Sequence, residues 1–204
     1  MKIIEQERAP NPRRVKIFVA EKGLEIPFEK IEINKGEHQT PQFTALNPMQ
    51  RVPVLVLDDG TALSESVAIC RYFEELYPSP PLFGHSPLSK ANVEMWNRRM
   101  ELSLMQPVSQ VFRHSHPAMA QMEIPQISEW AKANVPRVYT TLEILNNQLA
   151  TRSHVAGEEY SIADITAFVA IDFMKPAKLT LANDLIHIRG WIDRMAERPS
   201  SMLR

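Results

Sequence analysis

The chain has 204 residues, 44% hydrophobic and 23% charged, with 23 Lys and Arg against 24 Asp and Glu for a net charge of −1. That length suits one large domain or two small ones, the composition excludes intrinsic disorder, and the missing basic excess excludes a general nucleic-acid footprint. Cys70 stands alone, so no intrachain disulfide or Cys-rich zinc site can form, and no apolar run approaches the roughly 20 residues that span a bilayer. The opening Met1-Lys2-Ile3-Ile4-Glu5 places a Glu where a signal peptide needs apolar residues. The expectation is a soluble, reduced, cytoplasmic protein with no membrane or nucleic-acid partner.

Lys2 to Glu5 reads as a first strand. Val15, Phe18 and Val19 recur at helical spacing, and Gly23 stands where a helix C′ residue belongs. Phe28, Ile31 and Ile33 mark a second strand. Val54 to Leu57 is apolar and β-branched, and Asp58-Asp59-Gly60 then turns the chain into Thr61 to Leu63. Ile69, Phe73 and Leu76 line one face of a following helix. The order is β-α-β, a loop, then β-β-α, with a parallel pair from the first crossover and an antiparallel pair from the Asp-Gly turn.

The segment Tyr77 to Pro87, YPSPPLFGHSP, holds four prolines and reads as an interdomain linker. Beyond it the pattern is helical. Leu88, Ala91, Met95 and Leu102 open a long amphipathic helix, and Val138, Leu142, Leu145 and Leu149 give a second. Ile162, Ile165, Phe168 and Val169 give a third, and Leu185, Ile188, Trp191 and Ile192 a fourth. The expected domains are a small α/β domain over residues 1–78, a linker over 79–87 and an all-helical domain over 88–204.

Three short constellations carry chemistry. Asn11-Pro12 precedes a helix expected over Arg13 to Lys22. Asn caps well, proline suits the first helical position, and a helix N-terminus beside Arg13 and Arg14 favours an anion, including a thiolate. Simple capping explains the same residues. Arg51-Val52-Pro53 leads into the strand Val54 to Leu57, an unusual place for a residue that cannot donate to a ladder. A cis Val52-Pro53 bond would leave the Val52 backbone groups free for a peptide-like ligand, whereas an ordinary trans turn would not. Ser64-Glu65-Ser66 stands ahead of the helix Val67 to Leu76. A hydroxyl and free N–H groups there can hold a carboxylate and Glu65 an ammonium, although an ordinary cap is an equal reading.

Taken in this order, the pieces resemble the cytosolic glutathione transferases over nearly the whole chain. The matching stretches are Ala9 to Leu24, Gly36 to Leu55, Leu63 to Pro78, Glu158 to Phe168 and Trp191 to Ser200. The resemblance implies a thioredoxin-like α/β N-terminal domain that binds glutathione and an all-α C-terminal domain that binds a hydrophobic electrophile, in a homodimer. It implies that Val52 pairs through its backbone with the cysteinyl unit, that Pro53 is cis, and that Glu65 and Ser66 hold the γ-glutamyl amine and carboxylate. His38 matches the position that contacts the glycyl carboxylate, with Arg51 a lesser candidate for that end. Ser161 with Asp164 resembles the structural capping box of the helical domain.

The chain departs from the family where the thiol is activated. Ala9 stands at the best-aligned serine position, and no Tyr or Cys lies before Cys70 and Tyr72. Lowering a thiol pKa from about 8.5 by two units takes roughly 2.7 kcal/mol of preferential thiolate stabilisation. The candidates are Asn11, the helix end and the Arg13-Arg14 charges; Pro10 and Pro12 lack N–H groups, leaving Asn11, Arg13 and Arg14 as backbone donors. A second candidate is Phe112-Arg113-His114-Ser115-His116 near the expected end of the first long helix. Atypical bacterial and fungal members hold a water there with a His and a Ser, so His114 and Ser115 are catalytic candidates; a solvated helix end fits equally. Gln50 replaces the family's usual Gly. Trp96, Met100, Met105, Phe112, Met119 and Phe168 are the apolar candidates for an electrophile pocket, with core the commoner fate. His85, His154 and His187 lack paired metal-ligand spacing, and no metal is expected. The implied activity is attack by the glutathione thiolate on a hydrophobic electrophile. The rivals are a non-catalytic regulatory protein on the same scaffold and a glutathione-dependent peroxidase, isomerase or dehalogenase.

Overall fold

Four short strands join into one mixed sheet in the computed structural model, which describes residues 1–203. They are β1 (Lys2–Glu5), β2 (Phe28–Lys30), β3 (Val54–Val56) and β4 (Ala62–Ser64), in spatial order β2-β1-β3-β4. β1 and β2 run parallel with Glu5 opposite Lys30, β3 runs antiparallel to β1 with Val54 opposite Ile4, and β4 runs antiparallel to β3 with Ser64 opposite Val54. The helices of this unit are α1 (Pro10–Glu21), α2 (Pro41–Leu46) and α3 (Ser66–Leu76).

Strand side chains alternate between faces. Ile4 and Val54 cluster with Phe43 of α2, and Val52 packs against that cluster. Ile3 and Leu55 point to the opposite face and are fully buried, as are Val15 and Phe18 of α1 and Ile69 and Phe73 of α3. α1 and α3 face each other in register. Arg14 donates to Ser66, and Lys22 pairs with Glu74 at 2.5 Å.

The second unit, Phe83–Glu197, is helical. It comprises α4 (Pro87–Arg99), a π-helical turn over Met100–Met105, α5 (Gln106–Ser115), α6 (Ser128–Leu149), α7 (Ile162–Asp172) and α8 (Ile186–Ala196). Ser161 and Asp164 form the expected capping box at α7. The Asp164 carboxylate also accepts from Val155 N–H at 2.9 Å and from the Trp191 indole at 3.0 Å.

Several expectations are revised. The face of α4 and the π-helical turn expected to be buried is exposed: Leu88 is 81% exposed, Met95 41% and Leu102 49%, while Val93, Trp96, Met100 and Leu104 are buried. Both faces repeat at helical spacing. The buried one is disguised by Asn97, which is fully buried and accepts from Thr166 Oγ1 at 2.6 Å. Helix α1 starts at Pro10 with Ala9 at the N-cap, not at Arg13 with Asn11 as the cap, because Pro10 already supplies helical φ and holds Ala9 extended. The first unit runs to Leu82, and the segment from Arg198 to Leu203 rejoins it. Arg198 makes two bonds to the Glu21 carboxylate, and Arg13 donates to the carbonyls of Ser201 and Leu203. No helix among the described residues is long and apolar enough to cross a membrane.

Candidate active site

Strand register alone gathers the expected glutathione residues of the first unit. The C-terminal end of β1 leads to the start of α1 and Asn11. β2, parallel to it, delivers His38 beyond its own C-terminal end. β3 enters the sheet from Arg51-Val52-Pro53 at that same end, because Val54 lies opposite Ile4. β4 exits there into Glu65-Ser66, because Ser64 lies opposite Val54. Asn11, His38, Arg51, Val52, Pro53, Glu65 and Ser66 therefore all belong to loops and helix starts at one end of the sheet.

The Val52-Pro53 peptide bond is cis. Val52 buries its side chain against Ile4, Phe43 and Val54, and its backbone lies outside the ladder, which begins at Val54. Its N–H and C=O therefore face no strand partner. Asn47, only 2% exposed, shapes this approach: its amide donates to Arg51 O at 2.8 Å and its carbonyl accepts from Met49 N–H at 3.0 Å. Gln50 is left-handed at φ 53°, which accounts for the family's preference for Gly there. Its side chain turns to Thr44 Oγ1 at 3.1 Å.

Glu65 is the N-cap of α3 at φ 71° and ψ 113°, a sparsely populated conformation for a side-chain-bearing residue. It is exposed, and Ser66 beside it is buried. No side chain caps α3, so the first-turn N–H groups lack an internal acceptor. The pairing of an open carboxylate with a hydroxyl at a helix N-terminus suits an ammonium and a carboxylate on one carbon.

His38 sits in a 3₁₀ turn, Glu37–Gln39, that Gly36 opens at φ 76°. It is 6% exposed, and its Nδ1 has no hydrogen-bond partner among the described residues. Burial first, and the Arg51 charge second, push its pKa below the ordinary value, so the unliganded ring is held neutral. An orphaned ring nitrogen near a cation is an opening for a carboxylate.

At the start of α1, prolines occupy the first and third helical positions, and Arg13 N–H is already donated to Ala9 O. Asn11 N–H is left as the free first-turn backbone donor, with an exposed side-chain amide beside it. The two arginines are directed elsewhere: Arg13 to the Ser201 and Leu203 carbonyls, Arg14 to Ser66.

In the helical unit, His114 is 8% exposed at the end of α5. Its Nδ1 accepts from Ile127 N–H at 3.1 Å, which puts the proton of the neutral ring on Nε2, 3.7 Å from Glu123. Ser115 Oγ donates to Val111 O at 2.6 Å. Both side chains are thus engaged within their own unit. Trp96, Met100, Met105 and Met119 are buried, and Phe112 and Phe168 are half-buried. Phe168 lines a cavity of about 490 Å³ with Ile171, Met174, Leu179 and Ile192. No cluster of His, Cys, Asp and Glu that could hold a metal occurs among the described residues. Sequence reasoning missed Asn47 as the staple of the Val52 approach and Arg14 as the partner of Ser66. The Asn-Pro turn and the paired arginines were the available signals.

The N-terminal domain model of glutathione S-transferases matches residues 9–76, and their C-terminal domain model matches residues 103–199. The chain is 37% identical over 203 residues to glutathione S-transferase 2 of Saccharomyces cerevisiae, covering 98% of this chain and 87% of that one. The crystal structure of a glutathione S-transferase domain-containing protein from Marinobacter aquaeolei superposes with a TM-score of 0.95 at 37% identity, covering 99% of this chain and 100% of that one. The crystal structure of Gtt2 from Saccharomyces cerevisiae gives a TM-score of 0.94 at 37% identity, covering 98% of each chain. Similar along nearly its full length to transferases that use glutathione as co-substrate, the chain belongs to the glutathione S-transferase family.

Proposed function

We propose that this transferase holds glutathione stretched along the loop end of its sheet and directs the thiolate at a hydrophobic electrophile. Glu65 takes the γ-glutamyl ammonium and Ser66 the adjacent carboxylate. The Val52 backbone pairs with the cysteinyl unit across the cis Pro53, and His38 with Arg51 takes the glycyl carboxylate. The observation that carries this reading is the register of the sheet, which brings four separate stretches of sequence to one end.

Asn11 is the proposed thiolate donor, through its side-chain amide and its free backbone N–H. With the thiolate poised, the sulfur forms a bond to the electrophilic carbon and the leaving group departs with its electron pair. The protein's contribution is positioning and charge stabilisation. His114 and Ser115, acting through water, are the second proposal for the same task. Their present partners, Ile127, Glu123 and Val111, make Asn11 the first choice. A homodimer is proposed, supported by the exposed Leu88, Met95 and Leu102 on one stretch of helix. The protein is proposed to act in the cytoplasm, in the removal of electrophiles.

Ultraviolet titration of bound glutathione thiolate tests the donor. Asn11→Ala should raise the thiol pKa by about one unit or more, near 1.4 kcal/mol, and His114→Ala should leave it in place. The larger shift in His114→Ala would transfer the role to His114 and Ser115. Turnover of a generic aryl halide, beside a panel of peroxide, isomerase and haloalkane substrates, fixes the reaction type.

A further inference from the structure

We propose that Arg14 is a positioning residue for substrate: it commits the Ser66 hydroxyl to the α-carboxylate of the γ-glutamyl unit. This deepens, and rests on, the reading of Glu65 and Ser66 given above.

Arg14 is fully buried, and its Nη1 donates to Ser66 Oγ at 3.0 Å. A hydroxyl carries one proton and two lone pairs, and a guanidinium can only donate. Arg14 therefore occupies a lone pair, and the Ser66 proton must be given to a different acceptor. Ser66 is 5% exposed, and its hydroxyl donates to no acceptor among the described residues. It is also the first residue of α3, whose first-turn N–H groups have no capping side chain. The Ser66 proton and the uncapped first-turn N–H groups are donors that stand together there, in want of one acceptor. A carboxylate answers all of these requirements at once. The sequence reading placed Arg14 near the thiol, but its bond to Ser66 moves its influence to the other end of the tripeptide.

The two partners of this bond come from α1 and α3, so a purely structural bolt between the helices is the competing account. A comparison of ligands separates the two. Affinity is measured for glutathione and for 4-aminobutanoyl-Cys-Gly, which keeps the amine and lacks the α-carboxylate. Arg14→Gln should weaken glutathione about tenfold and the truncated tripeptide less than twofold, with kcat at saturating glutathione nearly unchanged. Ser66→Ala should show the same selectivity, and the double variant should lose little more than either single one. Equal weakening of both tripeptides by Arg14→Gln would overturn the proposal in favour of the structural bolt. Full glutathione affinity in Arg14→Gln with weakening in Ser66→Ala would overturn Arg14 alone. Full affinity in Ser66→Ala would instead overturn the reading of the Glu65–Ser66 end. Arg14→Lys keeps a buried cation and carries the same comparison if the Gln variant does not fold.

Discussion

Glu65 is held in a conformation that glycine would adopt freely, at a position proposed above to bind glutathione, so its replacement should move stability and affinity in opposite directions. At φ 71° and ψ 113° it lies outside the regions open to most residues, a strain of about 1–3 kcal/mol. Glycine relieves that strain and returns about 0.5–1 kcal/mol through its greater unfolded-state freedom. Glu65→Gly should therefore gain roughly 0–2.5 kcal/mol, and Tm should rise about 2–4 °C per kcal/mol gained. Loss of the carboxylate removes a charge-assisted bond of about 1.5–3 kcal/mol. Because Glu65 is exposed, solvent screening places the effect at the low end, about a tenfold weaker Kd for glutathione. Glu65→Gln separates the two effects: it keeps the strain, stays within about 0.5 kcal/mol of wild-type stability, and still weakens binding. Thermal melts without ligand and calorimetric titration with glutathione read both quantities. A Glu65→Gly variant that is less stable than wild type and binds as well as wild type would refute the reasoning on both counts.

Other consequences are open to direct measurement. His38 has a folded pKa lowered below 6.5, chiefly by burial and then by Arg51. Its neutral form therefore contributes stability above about pH 6.5 that is lost as pH falls through the folded value. A bound carboxylate reverses the bias. S-methylglutathione, which has no thiol to titrate, should take up a proton on binding near pH 6, seen as a buffer-dependent heat that His38→Asn abolishes; an identical heat in all buffers would count against His38 as the carboxylate partner. Asn47→Ala removes both bonds that staple the approach to Val52, so stability should fall by about 1–3 kcal/mol and KM for glutathione should rise; an unchanged KM would mean the staple is dispensable for the site. Asp164→Ala strips acceptors from Val155, Trp191 and Ser161. A loss of at least about 3 kcal/mol is expected, with Tm lower by roughly 6–12 °C; a loss under about 1 kcal/mol would show that water replaces the carboxylate.

The fold class was legible because its signals are local. The Asp58-Asp59-Gly60 turn, the β-branched run at Val54 and the helical spacing around Phe18 and Phe73 each act over a few residues. The residues proposed to hold glutathione follow a family pattern in the sequence, and the strand registers bring their loops to one end of the sheet. Boundaries were harder. Asn11 resembles a cap, yet Pro10 before it has already begun the helix. On α4 the polar Asn97 lies in the core while Leu88 faces solvent, so apolar spacing alone pointed to the wrong face. The bond from Arg13 to Leu203 joins residues too distant for any local pattern to reveal. The partners of His114 and Ser115 were hidden for a similar reason: Ile127 reaches His114 from the segment that starts α6.

The return of Arg198–Leu203 to helix α1 sets an order on assembly. The ribosome makes the whole of residues 83–197 before it makes the segment that clasps Arg13 and Glu21. Until then the nascent α/β unit has a helix flank whose guanidinium and carboxylate have not met their eventual partners. Translation thus completes the α/β unit only after the helical one, and a premature stop within the helical stretch leaves both units incomplete.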